Sequence, residues 1–350
     1  MPLGNRLTSM QGAIGSGART AAPTLEMVAR EANVSRATVS RVVNGSPKVS
    51  PEVVRVVNEA ISKLNYVPNR AARSLASRTT NAIALVVPED TTMFFGDPYF
   101  AAIVQGITRR LDDSEYLLNL LLSTSDPNRK TVRYLRSGVV DGALVVSHHE
   151  GDHSLAEAAR EMPMVFGGRP PNIADDDVYV DVDNFEGGMT ATERLLAIGR
   201  RRVGTVTGAL DMPAAVDRLE GFRRAMATAG LPDDAVETAD FSVAGAVAAT
   251  RRLLDRVPDL DGLFVASDLM ATGALSVLRE RGRSVPGDIA VVGYDDSPAA
   301  TSSAIPLTTV HQPSEDMGYM MADLLLRILA GEDVPHRNIM PTRLVRRASA

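Results

Sequence analysis

The sequence predicts an all-α helix-turn-helix head followed by an α/β core of two doubly wound, parallel-sheet lobes. Two short helical patterns flank a tight turn near the N-terminus, and short apolar runs alternate with helical patterns from residue 82 onward. Charge separates the same two parts. Residues 1–78 carry 11 Lys and Arg against 4 Asp and Glu, whereas the remainder carries 26 against 39. A basic end on an acidic body suits a phosphate-binding head on a regulatory domain.

The first 22 residues are rich in Gly, Ala and Ser, which predicts a disordered leader. They lack a continuous apolar segment, so we expect no signal peptide. The alternative is a basic arm that touches DNA, although only Arg6 and Arg19 would serve it. No segment approaches the roughly 20 apolar residues of a membrane span. The chain has no cysteine, which excludes disulfides and Cys-based zinc sites.

The predicted head, residues 23–67, begins with two short helices. Apolar residues at i, i+3, i+4 and i+7 from Leu25 share one helix face, and similar spacing returns at Val39. Between them, Asn33 tolerates the left-handed conformation of a tight turn and Ser35 can cap the next helix. This pattern predicts a helix-turn-helix whose second helix enters the DNA major groove. The side chains of that helix that the core does not need are Arg36, Ala37, Ser40 and Arg41.

A third helix with Ser50 as its N-cap would close the head, and Pro68 stops it. Residues 68–80 then form a basic hinge helix or linker, whose Ala-rich segment could form about two helical turns, too few to be stable alone. Leu75 is its single large apolar residue. This composition fits a helix that folds only on DNA, with Leu75 as a wedge in the minor groove. A plain flexible linker is the alternative.

Residues 81–350 form the predicted core. The predicted strands are Ala82–Val87, Leu117–Leu122, Gly142–Val146, Met164–Phe166, Val178–Asp183, Val203–Thr207, Gly262–Ala266 and Ile289–Gly293. The predicted helices include Asn184–Ile198, Val216–Ala229, Val243–Arg256 and Asp268–Arg281. Such alternation implies parallel sheets covered on both faces, and about 270 residues imply two lobes. Ligands of these folds bind beyond the carboxyl ends of strands. The polar residues expected there are Asp183, Ser267, Asp268, Asp295 and Asp296.

An enzyme is the main rival class, because doubly wound sheets host many enzymes. The sequence has no G-x-G-x-x-G after a strand, no P-loop and no G-x-S-x-G elbow. His148, His149 and His153 lie in HHEGDH, which suggests a metal site. Their spacing is unlike that of a helical metal-binding pair, so a solvated loop is the favoured interpretation. We expect no catalytic residue, metal or cofactor.

Six motifs in order along the chain resemble the lactose/galactose-repressor family of bacterial transcriptional regulators, in an actinobacterial-type member. They are TLEMVAREANVSRATVSRVVNG, LNYVPNRAARSLASRTTNAIALVVP, DRLEGF, ASDLMATGAL, VVGYDDSP and PLTTVHQP. The resemblance runs from about Thr24 to the C-terminus. It implies a homodimer that reads a near-palindromic operator, and a core like a periplasmic sugar-binding protein. Lobe 1 would span about 81–200 and 312–335, and lobe 2 about 201–311 and 336–350.

The resemblance also implies the residues that contact DNA. Arg36 and Ala37 match base-contacting positions, and Arg41 matches a characteristic family arginine; an Arg can bridge guanine O6 and N7. Asn33 replaces the family's usual Gly in the turn. Expected phosphate contacts are Thr24, Ser35, Thr38, Ser40 and Asn44, and expected hinge contacts are Asn69, Arg70, Ala72 and Leu75.

The resemblance places an effector between the lobes. Its expected contacts are Tyr99, Phe100, Asp183, Arg218, Phe241, Ser267, Asp268, Asp295 and Gln312. Arg218 and the two carboxylates Asp183 and Asp295 would hold hydroxyls, and aromatic faces would cover the sugar ring. The alternatives are a surface ion pair for Arg218 and a helix cap for Asp183. Asp296 is expected to be structural. Phe94 and Phe95, in an apparent insertion at Thr91–Gly96, would narrow the cleft mouth.

The resemblance therefore implies a cytoplasmic repressor of carbohydrate-uptake or catabolism genes that a sugar releases from its operator. A plant-derived glucoside is the favoured effector. A corepressor-dependent regulator is the alternative within the family. A secreted sugar-binding receptor is disfavoured by the basic head and the missing signal peptide. No heptad tail follows the core, so we expect a dimer rather than a tetramer.

Overall fold

The computed structural model describes residues 23–43, 46–66, 79–123, 129–151 and 153–350, with the backbone alone at residue 153. The predicted leader and most of the predicted hinge lie outside these residues. Contacts divide the chain into two units, Met1–Arg78 and Thr79–Ala350. The first unit contains the helix-turn-helix and the second contains two parallel-sheet lobes, which confirms the predicted fold class.

The described residues of the head form three helices. They are α1 (Leu25–Glu31), α2 (Arg36–Val43) and α3 (Pro51–Leu64). Each contributes a fully buried valine, Val28, Val39 and Val57, to a shared core. Thr24 caps α1, and Asn33 adopts the left-handed conformation between α1 and α2 with φ at 49°. The Asn in place of Gly therefore preserves the turn.

The described residues of the first lobe form six strands and five helices. Its strands are β1 (Ala82–Val87), β2 (Leu117–Leu122), β3 (Gly142–Val146), β4 (Met164–Gly167), β5 (Val178–Val182) and β11 (Arg337–Met340). They pair in the order β11-β5-β4-β3-β1-β2, and every pairing is parallel. Its helices are α4 (Thr91–Gly96), α5 (Pro98–Leu111), α6 (Lys130–Arg136), α7 (His153–Ala159) and α13 (Ser314–Leu329). Apolar clusters cover both faces of the sheet, so the residues of its central strands are almost all apolar.

The second lobe repeats this architecture. Its strands are β6 (Val203–Thr207), β7 (Val236–Thr238), β8 (Gly262–Val265), β9 (Ala290–Asp295), β10 (Thr308–His311) and β12 (Arg343–Val345). They pair in the order β12-β10-β9-β8-β6-β7, and only the pairing of β12 with β10 is antiparallel. Its helices are α8 (Asn184–Ala197), α9 (Pro213–Thr228), α10 (Val243–Arg256), α11 (Asp268–Glu280) and α12 (Pro298–Ser302). Apolar clusters again cover both faces.

The chain crosses between the lobes after β5, after β10 and after β11. Two predicted lobe boundaries are therefore wrong. Residues 184–197 form α8, which packs against α9 and β9 of the second lobe, although lobe 1 was expected to run to about 200. Residues 337–340 form β11, which pairs with β5 of the first lobe, although 336–350 was assigned to lobe 2. Periodicity identifies an element but does not show which sheet it joins.

The helix α4 corrects the expectation that Phe94 and Phe95 narrow the cleft mouth. Asp90 caps this helix, so the segment is ordered by its own hydrogen bonds. The ring of Phe94 is buried against Phe100 in the core of the first lobe, with ring centroids 5.3 Å apart. Phe95 is 76% exposed. Neither ring lines the cavity described below.

Paired glycines allow two helix pairs to approach closely, one pair in each lobe. In the first lobe, a Cβ on Gly106 of α5 would overlap the carbonyl oxygen of Glu315, and one on Gly318 of α13 would overlap that of Ile103. In the second lobe, Gly188 of α8 and Gly221 of α9 meet the partner helix's backbone in the same way. These four positions therefore exclude any side chain.

Among the described residues, no helix has the length and apolar character required to cross a membrane.

Candidate effector cavity and DNA-reading helix

The helix α2 presents one apolar face to the head and its remaining surface outward. Val39 is buried, whereas Arg36, Ala37 and Arg41 are exposed and Thr38 is half-buried. The valine anchors the helix, so the exposed residues are available to a groove of DNA. This exposure supports the expected DNA contacts at these positions.

Two of the hydroxyl groups that are expected to contact phosphates, those of Thr24 and Ser35, cap the N-termini of helices in this structure. Thr24 Oγ1 accepts from the backbone of Met27 at 3.3 Å. Ser35 Oγ accepts from the backbone of Thr38 at 3.1 Å and lies 2.8 Å from Thr38 Oγ1. Since only one hydroxyl of that pair donates to the other, one hydroxyl hydrogen remains for a phosphate. Ser40 is half-buried on α2, and the expected DNA contacts Asn44, Asn69, Arg70, Ala72 and Leu75 lie outside the described residues.

Arg36 makes an exposed ion pair with Glu26, with Nε 2.9 Å from Oε1. Exposed pairs of this kind contribute little to stability, so the guanidinium can leave it for a base edge. We expect Arg36→Ala to lose roughly 5- to 150-fold in affinity for a site with the preferred base at one operator position. Selection from random DNA should then show relaxed preference at that position.

Arg55→Ala is the matched control for Arg36→Ala. Arg55 is also an exposed arginine, on α3, and is paired with Glu59 at 2.6 Å. We expect this variant to select the same sites as the parent protein. Identical selected sites for Arg36→Ala and the parent would remove Arg36 from the base-reading residues.

The core contains a cavity of about 320 Å³ between the two lobes. Its walls come from segments that follow the carboxyl ends of β1, β3 and β4 in the first lobe and of β6, β8 and β9 in the second. This is the position at which parallel α/β sheets bind ligands. The volume lies near the lower end of the about 300–1,000 Å³ that is typical of small-molecule sites.

Seven of the nine expected effector contacts line this cavity. They are Tyr99, Phe100, Arg218, Phe241, Ser267, Asp295 and Gln312. Aromatic rings come from both lobes, and polar groups come from the second lobe and from the crossing after β10. The structure thus brings together residues that are up to 213 positions apart in the sequence.

Arg218 lines the cavity and connects three segments of the chain by hydrogen bonds. Its side chain is buried, and its guanidinium donates to Asn184 Oδ1 at 2.9 Å, to the carbonyl oxygen of Ala266 at 2.6 Å and to Gln312 Oε1 at 2.9 Å. Its carbon Cζ lies 3.6 Å from the ring centroid of Tyr294. The alternative of a surface ion pair is therefore wrong. Three of the five guanidinium N–H groups are used, which leaves at most two for a ligand.

Three carboxyl groups in the cavity are partly or wholly withdrawn from water. Burial raises the pKa of Asp295 well above its usual value, although Arg218 opposes this rise. Burial also raises the pKa of Asp97 and of Asp181. Asp181 accepts from the backbone of Arg169 at 2.9 Å. Raised pKa values allow a carboxyl group to donate to a hydroxyl as well as accept from it.

Two expected effector contacts lie outside the cavity. The strand β5 ends at Val182, and the exposed Asp183 caps α8, with Oδ1 accepting from the backbone of Glu186 at 2.9 Å. Asp181 and Asn184 line the cavity in its place. Asp268 is fully buried beside the cavity, where Oδ1 accepts from the Thr309 hydroxyl at 2.7 Å.

Neighbouring polar groups at the end of β9 have structural roles. Asp296 Oδ2 lies 3.1 Å from His311 Nδ1, and Oδ1 accepts from Arg347 at 2.5 Å, so this carboxylate is structural, as expected. Asp295 and Asp296 both have positive φ, at 107° and 60°, which turns the chain sharply. As a result, Asp295 lines the cavity, whereas the adjacent Asp296 contacts His311 and Arg347.

The prediction that the His148–His149 segment is a solvated loop is wrong. His148 is buried, and burial lowers its pKa to about 4. His149 lines the cavity, with Nε2 2.9 Å from Glu89 Oε1 and Nδ1 2.9 Å from Asp211 Oδ2. Hydrogen bonding to Glu89 is the main cause that raises the pKa of His149 to about 9. No group of three or more metal-ligating side chains occurs among the described residues.

Sequence reasoning also missed several residues at the carboxyl ends of first-lobe strands. Glu89 follows β1, Ser147 follows β3, and Arg169 follows β4. Arg169 donates to both carboxylate oxygens of Asp217, at 2.8 Å and 2.7 Å, and so links the first lobe to α9 of the second. Applying the strand-end rule to both lobes would have found these residues, but not their partners.

Comparison with family models and known proteins gives the following matches. The model "Bacterial regulatory proteins, lacI family" matches residues 24–69, and the model "Periplasmic binding protein-like domain" matches residues 192–350. The HTH-type transcriptional regulator CelR of Thermobifida fusca is 47% identical over 335 residues, which cover 93% of this chain and 98% of that protein. The ribose operon repressor of Escherichia coli (strain K12) is 34% identical, covering 93% and 99%.

Two solved structures are similar over nearly the whole chain. A transcriptional regulator CelR-cellobiose complex aligns with a TM-score of 0.74 at 45% identity, covering 94% of this chain and 100% of that one. The lac repressor dimer bound to operator and the anti-inducer ONPF aligns with a TM-score of 0.82 at 27% identity, covering 93% and 98%.

Proposed function

From the premise that the chain belongs to the lacI family of bacterial regulatory proteins, we propose that its effector is a β-linked glucose disaccharide, with cellobiose as the first candidate. The family resemblance seen in the sequence is confirmed. The relatives are DNA-binding transcriptional regulators rather than enzymes. This chain is likewise a transcriptional repressor that binds operator DNA and a sugar effector, and it forms a homodimer like the related lac repressor.

The observation that supports cellobiose is that side chains from both lobes line one cavity, and that these side chains suit a ligand with many hydroxyl groups. Arg218 offers N–H donors, while Asp181 and Asp295 offer carboxyl oxygens. Tyr99 and Phe241 supply aromatic faces from opposite lobes for the C–H faces of pyranose rings. The similarity to the CelR-cellobiose complex supports two rings rather than one.

The geometry suggests how a sugar would change the core. Side chains of both lobes line the cavity, so a sugar that bonds to both would favour one relative orientation of the lobes. The three interlobe crossings would accommodate the rotation. Since effector and operator affinities are then coupled, each ligand changes the affinity for the other by the same factor. A bacterial regulator that binds operator DNA in this way acts in the cytoplasm.

A titration of the full-length dimer tests the effector. Operator DNA is first selected from a random-sequence library, and binding is followed by fluorescence anisotropy. We expect cellobiose to weaken operator binding by roughly 5- to 150-fold. Glucose and ribose are the comparison ligands, and both should have much smaller effects.

The sign of the response separates two forms of the proposal. Release of the operator by cellobiose supports an inducer, whereas tighter binding supports the corepressor alternative. Calorimetry that detects no binding of cellobiose would reject this effector.

A further inference from the structure

His149 lies at the junction of the two lobes and contacts a carboxylate of each. Glu89, which follows β1, belongs to the first lobe, as does His149 itself. Asp211, in the segment between β6 and α9, belongs to the second lobe. We call these three residues the histidine bridge. The backbone N–H of Glu150 also donates to the carbonyl oxygen of Asp211 at 3.1 Å, which keeps the two segments adjacent.

The geometry of the histidine bridge requires a charged imidazole. Both ring nitrogens of His149 lie 2.9 Å from a carboxylate oxygen, and a carboxylate can only accept. A neutral imidazole has one N–H, so its other nitrogen would direct a lone pair at a negative oxygen. The imidazolium donates at both positions. The bridge between the lobes therefore depends on the second proton of His149.

The groups around His149 reinforce this dependence. The Ser147 hydroxyl lies 2.7 Å from Glu89 Oε1 and orients that carboxylate. His148 is buried beside the bridge, and its lowered pKa of about 4 keeps it neutral, so it adds no competing cation. Burial of His149 opposes its protonation, but the two carboxylates outweigh burial and raise its pKa to about 9.

A second contact between the lobes does not depend on pH between neutrality and about pH 9, because its cation is an arginine. Arg169 of the first lobe and Asp217 of the second are here called the arginine bridge, in which Nη2 of Arg169 donates to both carboxylate oxygens of Asp217. A guanidinium stays protonated at any pH at which the protein is folded. Both bridges border the same cavity, so they offer a matched pair for comparison.

We propose that the histidine bridge stabilises the closed arrangement of the lobes seen in this structure, and does so only while the imidazole carries both protons, so that an effector that favours this arrangement takes up protons on binding. The inference rests on the proposed sugar-driven closure. Opening removes Asp211 from His149 but leaves Glu89, because Glu89 is in the same lobe. The open form therefore holds the second proton less tightly than the closed form.

The sign of the pH dependence follows from the pKa of His149. A pKa that is raised in the closed form contributes stability that is present at lower pH and is lost as the pH rises through about 9. Affinity for the effector should therefore fall as the pH rises from neutrality to about 9. We expect a decrease of roughly 3- to 10-fold, because a tenfold difference in proton affinity between the two forms gives a tenfold difference in effector affinity.

Calorimetry with cellobiose and the full-length protein tests the proton uptake. Titrations in two buffers of different ionisation enthalpy, at a slightly alkaline pH, should show net uptake by the parent and almost none by His149→Gln. His149→Lys, which keeps the charge, should bind cellobiose with little dependence on pH. Arg169→Gln should weaken binding equally at each pH and retain the proton uptake. Equal uptake by the parent and His149→Gln would overturn the proposal.

A measurement without sugar separates this inference from the proposed function. NMR titration of the histidine ring signals, assigned with His149→Gln, should show the raised pKa of His149 and its decrease in Asp211→Asn. If cellobiose does not bind but this decrease is seen, the effector is wrong and the bridge stands. If Asp211→Asn leaves the pKa of His149 unchanged, the bridge between the lobes is refuted.

Discussion

Replacing Arg218 by alanine is expected to abolish the response to the effector and to destabilise the core. The side chain is 5% exposed and serves three acceptors on three segments, so its loss leaves these oxygens without their donor. Water in the cavity will satisfy some of them, so we expect a loss of about 2–4 kcal/mol in the free energy of unfolding. Loss of charged donors to sugar hydroxyls should lower effector affinity by at least roughly 100-fold.

Urea unfolding, cellobiose calorimetry and operator binding test the two effects of Arg218→Ala separately. Operator binding should persist, because the head has a hydrophobic core of its own. Arg223→Ala is the matched control, since Arg223 is on the same helix but exposed and paired with Glu220 at 2.7 Å. It should change neither stability nor effector affinity measurably. A parental dose response to cellobiose in Arg218→Ala would show that the site is assigned wrongly.

Replacing Gly106 by alanine should destabilise the first lobe by about 3 kcal/mol or more. The new methyl group would overlap the backbone of Glu315 on α13, and backbone atoms cannot move aside as a flexible side chain can. Relief requires the two helices to separate, which opens gaps elsewhere in their interface. The midpoint of thermal unfolding should fall by roughly 5–10 °C.

Gly96→Ala is the control for Gly106→Ala within the same lobe. A Cβ at Gly96 would have no heavy atom within 4 Å, and the residue ends the helix α4. We expect a change within about 0.5 kcal/mol, because alanine there restricts only the unfolded chain. Equal stability of the two alanine variants would show that α5 and α13 tolerate a wider separation than the structure suggests.

Local sequence patterns predicted the elements that have a strong period or a long apolar run. Each of the eight predicted strands is present to within two residues at either end, because strands buried on both faces need continuous apolar residues. The strands β7, β10, β11 and β12 were missed because they are short and contain polar residues, so they lack the continuous apolar run that identified β4 and β8. The helix α8 was found but assigned to the wrong lobe, since amphipathic spacing does not reveal which sheet a helix covers.

The cavity was predictable where a residue's role follows from its position at a strand end. It was not predictable where a role depends on a distant partner. His149 is 60 residues from Glu89 and 62 from Asp211, and in isolation HHEGDH has the composition of a surface loop. The prediction that Asp183 contacts the effector failed for a local reason. The strand ends one residue before Asp183, and its carboxylate caps the following helix instead.

The carboxyl groups of the cavity also bear on whether the sugar that this regulator binds can carry a phosphate group. Among the described residues that border it, six have carboxyl groups and three are cationic, namely Arg169, Arg218 and His149. Arg169 and His149 already contact carboxylates. A phosphate ester adds a charge of roughly −1.5 to −2 to a sugar. The cavity therefore disfavours phosphorylated sugars, and we expect the effector to be an unphosphorylated sugar.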